Sequence, residues 1–139
     1  MIKTMQKYGK KDNVIFGSTV YLIDLENNEK FRHKLRFLEE LTAWFFKNSL
    51  TSAILVGDLN IAPLENDVWS HKQLLNVVSH TPIEVEALNK LMDKGGWADA
   101  MRYLIPEPEK LFTWWSYRSP NWKAANRGRR LDHIWVTPD

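Results

Sequence analysis

The stretch TSAILVGDLNIAP, residues 51–63, constrains the fold most, because it joins a short apolar strand to an abruptly polar exit. Ala53, Ile54, Leu55 and Val56 carry no polar alternation, so the strand is expected to be covered on both faces, as in a layered α/β fold. Gly57 breaks the strand, Asp58 and Asn60 follow one residue apart, and Pro63 stiffens the way out. In an extended segment Asp58 and Asn60 face one side while Leu59 and Ile61 face the other. Two accounts stay open for this pair. Asp and Asn are turn residues whose side chains bond nearby backbone, and strand-end loops are also where catalytic groups sit.

The flanking segments support the layered α/β class. From Glu29 to about Asn48, Phe31, Leu35, Leu38, Leu41, Phe45 and Phe46 recur at spacings of three and four, which predicts an amphipathic helix. A second helix is signposted at both ends: Thr81 as cap, Pro82 in the first turn, Glu84 closing a capping box, and Gly95-Gly96 as the stop. Its core stripe is Val85, Leu88, Leu91 and Met92. Residues 14–23, VIFGSTVYLI, read as one or two strands broken at Gly17, and 61–80 as a long loop with one short helix near 71–78. PEPEK, 106–110, reads as a loop; LFTWWSY and LDHIWVT read as two strands joined by a basic loop. Residues 1–17 are taken as a leader, its first 13 residues polar and loose, and 18–139 as one folded unit without repeats or a composition shift.

Composition sets the outer limits. With 139 residues, 44% hydrophobic and 26% charged, the chain is expected to be a single soluble globular domain. No apolar run reaches the roughly 20 residues that span a membrane, and the basic start MIKTMQKYGKKDN has no apolar stretch behind it to make a signal peptide. The absence of cysteine excludes disulfides and thiolate metal sites and agrees with a cytoplasmic location. The histidines at 33, 71, 80 and 133 include no i, i+4 pair, which argues against structural zinc.

Net charge is only +2, but its distribution is uneven. RSPNWKAANRGRR, from Arg118 to Arg130, holds Arg118, Lys123, Arg127, Arg129 and Arg130 without an acid, interleaved with Trp122 and Asn126. Most short basic runs are solvated loops. This one follows FTWWSYR, and aromatics beside Arg and Lys suit a nucleic-acid backbone with bases or sugars packed alongside.

A second isolated acid repeats the logic of Asp58. In RRLDHIWVT, alternation puts Leu131, His133 and Trp135 on one face, and Asp132, Ile134 and Val136 on the other. A carboxylate is costly to bury unless paired, so Asp132 either forms a salt bridge to Arg130 or Arg127, or orients a catalytic His or metal ligand.

GDLN, TWWSYR and NRGRRLDHI, in this order, resemble the exonuclease III family of DNA-repair nucleases, within the endonuclease/exonuclease/phosphatase superfamily. The likeness runs from about Ser18 to the end and includes GDLNIAP, DVWS, EVEALNKLMDKGGWADAMR and RRLDHIWVT. The resemblance implies divalent-metal-dependent hydrolysis of DNA phosphodiesters, as 3′-5′ exonuclease and abasic-site endonuclease, on double-stranded DNA with abasic or 3′-blocked ends. It implies that Asp58 activates the attacking water or protonates the leaving oxygen, that Asn60 holds the scissile phosphate and supports the metal, and that Asp132 orients a catalytic His. Trp114 and Trp115 fall where the family builds a pocket for an abasic sugar; Arg118, Trp122, Lys123, Asn126, Arg127, Arg129 and Arg130 fall where it meets DNA. Tyr21, in STVYL, matches the family's active-site Tyr, with LIDLENN following in place of Pro-Asn-Gly. Oxygen ligands such as Asp58 and Asn60 suit Mg²⁺ or Mn²⁺.

The resemblance also implies a DNase I-like four-layer α/β sandwich of which this chain is about one half, the C-terminal one. Thr-Trp-Asn, the strand carrying the metal-binding Glu, and a terminal Ser-Asp-His are absent, so a complementary N-terminal half is the implied partner. Two other function classes remain open at this point: a non-catalytic remnant that binds DNA weakly, and a phosphodiesterase of small molecules or lipids.

Overall fold

The computed structural model describes residues 14–16, 29–118 and 120–138; Tyr21 and most of the leader lie outside them. A four-stranded sheet has the order β1-β2-β6-β3, with β1 at Val14–Phe16, β2 at Ile54–Asp58, β3 at Ala98–Asp99 and β6 at Asp132–Val136. The first pair is parallel, and β6 runs antiparallel to both β2 and β3. A separate two-stranded ribbon joins β4, Trp114–Trp115, to β5, Gly128–Arg129.

One face of the sheet is covered by two helices, α1 at Glu29–Asn48 and α3 at Pro82–Gly95. Leu38, Leu41 and Phe45 from α1 meet Leu88 and Leu91 from α3 over Leu55 and Trp135 of the strands. This is the main core, and truncating a wholly buried Leu88 or Leu91 to Ala costs about 2–5 kcal/mol at such a site. The N-terminus of α3 forms as its residues dictate: the Thr81 hydroxyl accepts from the Glu84 amide, and Glu84 reaches back to the Thr81 amide. Gly96 ends the helix in the left-handed conformation, φ 65°, where a Cβ would be strained.

The opposite face departs from the sequence expectation. Ile54 and Ile134 are 43% and 41% exposed, so β2 is covered on one side and open on the other. The uninterrupted apolar run therefore marks a strand built for two layers of which the described residues supply one. On α1 the buried stripe is Phe31, Lys34, Leu38, Leu41, Thr42 and Phe45, while Phe46, counted as core by its spacing, is exposed under the Lys94 ammonium. The expected strand over 111–117 shortens to Trp114–Trp115, because the chain turns at 117–118 into a single helical turn, α5, at Trp122–Ala125. The short helix expected near 71–78 is α2, His71–Leu74, capped by the Ser70 hydroxyl, and Ala100–Leu104 adds a further turn, α4.

Candidate functional site

At the end of β2 the loop expected to carry function is built as a turn. The Asp58 carboxylate accepts the Asn60 amide at 2.8 Å, closing an Asx-type turn. Asn60 takes φ 55°, a left-handed conformation that Asn tolerates better than most residues. Strict alternation therefore ends at Asp58: Leu59, Asn60, Ile61 and Ala62 are all buried.

Three consecutive carbonyls of this loop are each held by a buried side-chain donor from a different part of the chain. The Lys34 ammonium on α1 donates to the Asn60 carbonyl at 2.7 Å. His133 Nε2 on β6 donates to the Ile61 carbonyl at 2.8 Å. His80 Nδ1, just before α3, donates to the Ala62 carbonyl at 2.6 Å. These partners fix the tautomers, since a carbonyl can only accept. His133 carries its proton on Nε2, and its Nδ1 accepts from the Arg130 guanidinium at 3.0 Å. Burial, with Arg130 beside it, pushes the His133 pKa down to about 3. Burial likewise lowers that of His80, whose Nε2 lies 2.8 Å from His71 Nδ1. Lys34 is also pushed down by burial, opposed by Glu84, with which it forms a 2.5 Å ion pair.

Asp132 stands directly opposite Asp58 in the antiparallel register of β2 and β6. Side chains of directly opposed residues share a face and approach within about 5 Å at Cβ. The two acids thus sit together on the open face of the sheet, in line with Val56 and Ile134. Asp132 is exposed and Arg130 pairs with Asp67 and Asp99 instead, so of the two alternatives the salt bridge to Arg130 is not formed: the strand's burial cost is met by turning this face outward. His133 points to the opposite, buried face and is not a histidine that Asp132 could orient.

The aromatic and basic residues divide into two groups. The Thr113 hydroxyl accepts the amides of Leu131 and Asp132, at 3.0 and 3.1 Å, which ties the Trp114–Trp115 ribbon to the start of β6. Trp115 donates its indole N–H to Asn126 Oδ1 at 2.9 Å, and its ring lies 6.3 Å from that of Trp122. The Arg127 guanidinium stacks over Trp69 at 4.8 Å, and Lys123 lies over Trp122. Arg118, Lys123 and Arg127 are exposed.

Arg129 and Arg130 belong to the interior, which corrects their assignment to a DNA surface. Arg129 is half-buried and donates to the Val78 carbonyl and the Ser79 hydroxyl. Arg130 has no exposed surface; it pairs with Asp99 at 2.5 Å and faces Asp67, which is itself clamped by Arg102 at 2.6 Å. A guanidinium used in this way cannot meet a phosphate in solution.

The donor chemistry of the loop end suits a hard divalent cation: Asp58 and Asp132 bring carboxylates and Asn60 an amide. The set is partial. Among the described residues no group of three or more His, Cys, Asp or Glu is placed to hold a metal ion. No helix among them is long and apolar enough to cross a membrane.

Sequence reasoning missed Lys34, His80 and His133 as donors to the loop, and Glu84 as the acid that braces Lys34. For Lys34 the signal was present: the 31, 38, 41, 45 stripe passes through position 34 at a spacing of three, so a lysine occupies a core position.

Residues 14–139 match the Endonuclease/Exonuclease/phosphatase family. The exodeoxyribonuclease of Bacillus subtilis (strain 168) is 29% identical over 125 residues, an overlap of 88% of this chain and 49% of that protein. Exodeoxyribonuclease III of Haemophilus influenzae is 33% identical over 116 residues, covering 78% of this chain and 43% of the relative. Among solved structures, an AP endonuclease from Archaeoglobus fulgidus superposes with a TM-score of 0.81 at 31% identity, over 90% of this chain and 48% of the other. A 3′-5′ exonuclease from Neisseria meningitidis gives 0.75 at 29% identity, with the same two coverages. The chain thus spans about half the length of these relatives, and its α/β architecture is about one half of their DNase I-like sandwich.

Proposed function

The chain belongs to the endonuclease/exonuclease/phosphatase family, and we propose that it forms part of a divalent-metal-dependent nuclease that hydrolyses DNA phosphodiesters at abasic sites and blocked 3′ ends during repair. The observation that carries this reading is the Asp58–Asp132 pair on the open sheet face, with Asn60 fixed two residues on and an aromatic, basic ribbon tied to the same strand. The names of the relatives, exodeoxyribonuclease and AP endonuclease, support DNA as the substrate class.

In this account Asp58 removes the proton of the attacking water or returns one to the leaving oxygen. Its acceptance of the Asn60 amide sets the carboxylate's direction, which a general acid or base requires before its pKa matters. The Asn60 side chain holds the scissile phosphate and serves the transition state more than the ground state. Asp132 orients a catalytic His supplied from elsewhere in the complete enzyme. Trp114 and Trp115 border the abasic sugar, while Arg118, Lys123 and Arg127 meet backbone phosphates, with Trp122 and Asn126 shaping the surface between them. Asp58 and Asn60 would hold part of the coordination of Mg²⁺ or Mn²⁺, the remaining ligands coming from a complementary segment. Such an ion neutralises phosphate charge and lowers the pKa of bound water.

The test joins this chain to the complementary segment of a relative and presents two duplexes, one with a single abasic site and one with a 3′-phosphate. Incision beside the abasic site and removal of the 3′ block, both lost with Asp58→Asn, are expected. Hydrolysis of small phosphodiesters but of neither duplex would overturn the substrate assignment.

A further inference from the structure

We propose that Lys34 is a positioning residue for Asn60: its buried ammonium, braced on Glu84, holds the main chain of the loop in the left-handed turn that aims the Asn60 amide. The inference rests on reading Asp58 and Asn60 as the functional pair. It adds a residue on a different helix, 26 positions away in sequence, on which that pair depends.

Lys34 is only 3% exposed and sits in the apolar stripe of α1 between Phe31 and Leu38. An ammonium there is expensive, and a well-packed apolar pair usually serves a core as well as or better than an ion pair. Nor does the helix cap need it. Glu84 Oε2 already receives the amides of Ser79 and Thr81 and the Thr81 hydroxyl, while its other oxygen, Oε1, takes Lys34. Bridging α1 to α3 would therefore explain neither the charge nor its direction.

What an apolar residue cannot do is donate to a carbonyl. The remaining contact of the ammonium is the Asn60 carbonyl at 2.7 Å. At φ 55° Asn60 occupies a sparsely populated region, which persists only where the surroundings over-determine it. The Asp58 carboxylate fixes Asn60 from its amide side, and Lys34 fixes it from its carbonyl side. Held at both ends of the residue, the side chain leaves the backbone in one direction. A displacement of about 1 Å in such a group can cost on the order of a hundredfold in rate.

The test separates positioning from support. Lys34→Met strands a buried Glu84, so it is paired with Lys34→Met/Glu84→Gln, which leaves no buried charge at this site and keeps an acceptor for the cap. Stability is followed by denaturant midpoint, the loop by the ¹³C shift of the Asn60 carbonyl, and turnover of the abasic duplex in the joined enzyme. The double variant is expected to recover most of the midpoint lost by the single one. Its Asn60 carbonyl carbon should still move upfield, and kcat should fall roughly ten- to a hundredfold with KM changed less than about twofold.

A carbonyl shift unchanged in the folded double variant, or kcat restored together with stability, would overturn the proposal. Should neither variant fold, the wild-type chain decides it: a scalar coupling across the hydrogen bond from Lys34 Nζ to the Asn60 carbonyl carbon is expected, and its absence would count against the proposal. Failure of the joined wild-type enzyme to cut any duplex would instead tell against the nuclease reading, and the carbonyl measurements would still decide the geometry.

Discussion

Asp58 and Asp132 face each other across the β2–β6 ladder, two carboxylates in direct register on the sheet face that the described residues leave open. Like charges directly opposite are destabilising, by roughly 0.2–1 kcal/mol for such a pair. A chain selected only for folding would have little reason to keep both. The Asp132→Asn variant is therefore expected to raise the unfolding midpoint of the isolated chain slightly while abolishing incision in the joined enzyme. Equilibrium denaturation of the two proteins in chelator checks the first half, and a lower midpoint for the variant would contradict it.

Stability should depend on pH through His133. Its folded pKa of about 3 lies below the ordinary value of 6.5, so the folded state keeps it neutral where the unfolded chain takes up a proton. The contribution is complete above about pH 6.5 and is lost as pH falls toward 3, by up to about 1.4 kcal/mol per pH unit. His80, also pushed down by burial, acts in the same direction. His133→Gln keeps a donor for Ile61 and should flatten the slope of unfolding free energy against pH; an unchanged slope would remove His133 from the account.

The open face carries Ile54, Val56, Ile134 and Val136 beside the two acids. A two-layer half with an apolar face uncovered is expected to associate or to bind hydrophobic dyes. Ile54→Lys/Ile134→Lys should reduce dye binding and shift the chain toward monomer in sedimentation. A wild-type chain that is a well-behaved monomer with a sharp melt would show that this face needs no cover.

Interior and surface arginines should respond differently to neutralisation. Lys123→Gln/Arg127→Gln is expected to leave the fold intact and to lower the slope of log affinity for duplex DNA against log salt by about two units. Arg130→Gln breaks a buried pair with Asp99 and should cost about 3–5 kcal/mol of stability instead. Titrations at several salt concentrations distinguish the two, and an unchanged slope for the double variant would place the ribbon away from DNA.

The two long helices, the GDLN strand and the α3 cap were legible because local chemistry decides them: spacing on α1, Thr81 and Glu84 at the start of α3, Gly96 at its end. Asp58, Asn60 and Asp132 stood out as polar residues at apolar strand ends. Hidden from the sequence was the sense in which each charge is used. Arg127 and Arg130 look alike in RGRR's neighbourhood, yet one stacks on Trp69 at the surface and the other is enclosed with Asp99 and Asp67. Those partners lie 31 and 63 positions before Arg130, a separation that no local pattern reports. Two of the three donors to the loop carbonyls, His80 and His133, are hidden for the same reason, whereas Lys34 stands at a core position of the α1 stripe and only its partner is hidden.

The central claim is that Asp58, Asn60 and Asp132 form part of a metal-dependent site that a complementary segment completes. Its most direct test is incision of a duplex with a single abasic site in Mg²⁺, by the 139-residue chain alone and by the joined enzyme, each with and without chelator. Groups that act as a unit lose nearly everything when one is missing, so the chain alone is expected to cut nothing above background. The joined enzyme should cut, lose that activity in chelator, and lose most of it with Asp58→Asn. Chelator-sensitive cutting by the lone chain, abolished by Asp58→Asn, would contradict the account by showing that this half holds a complete site.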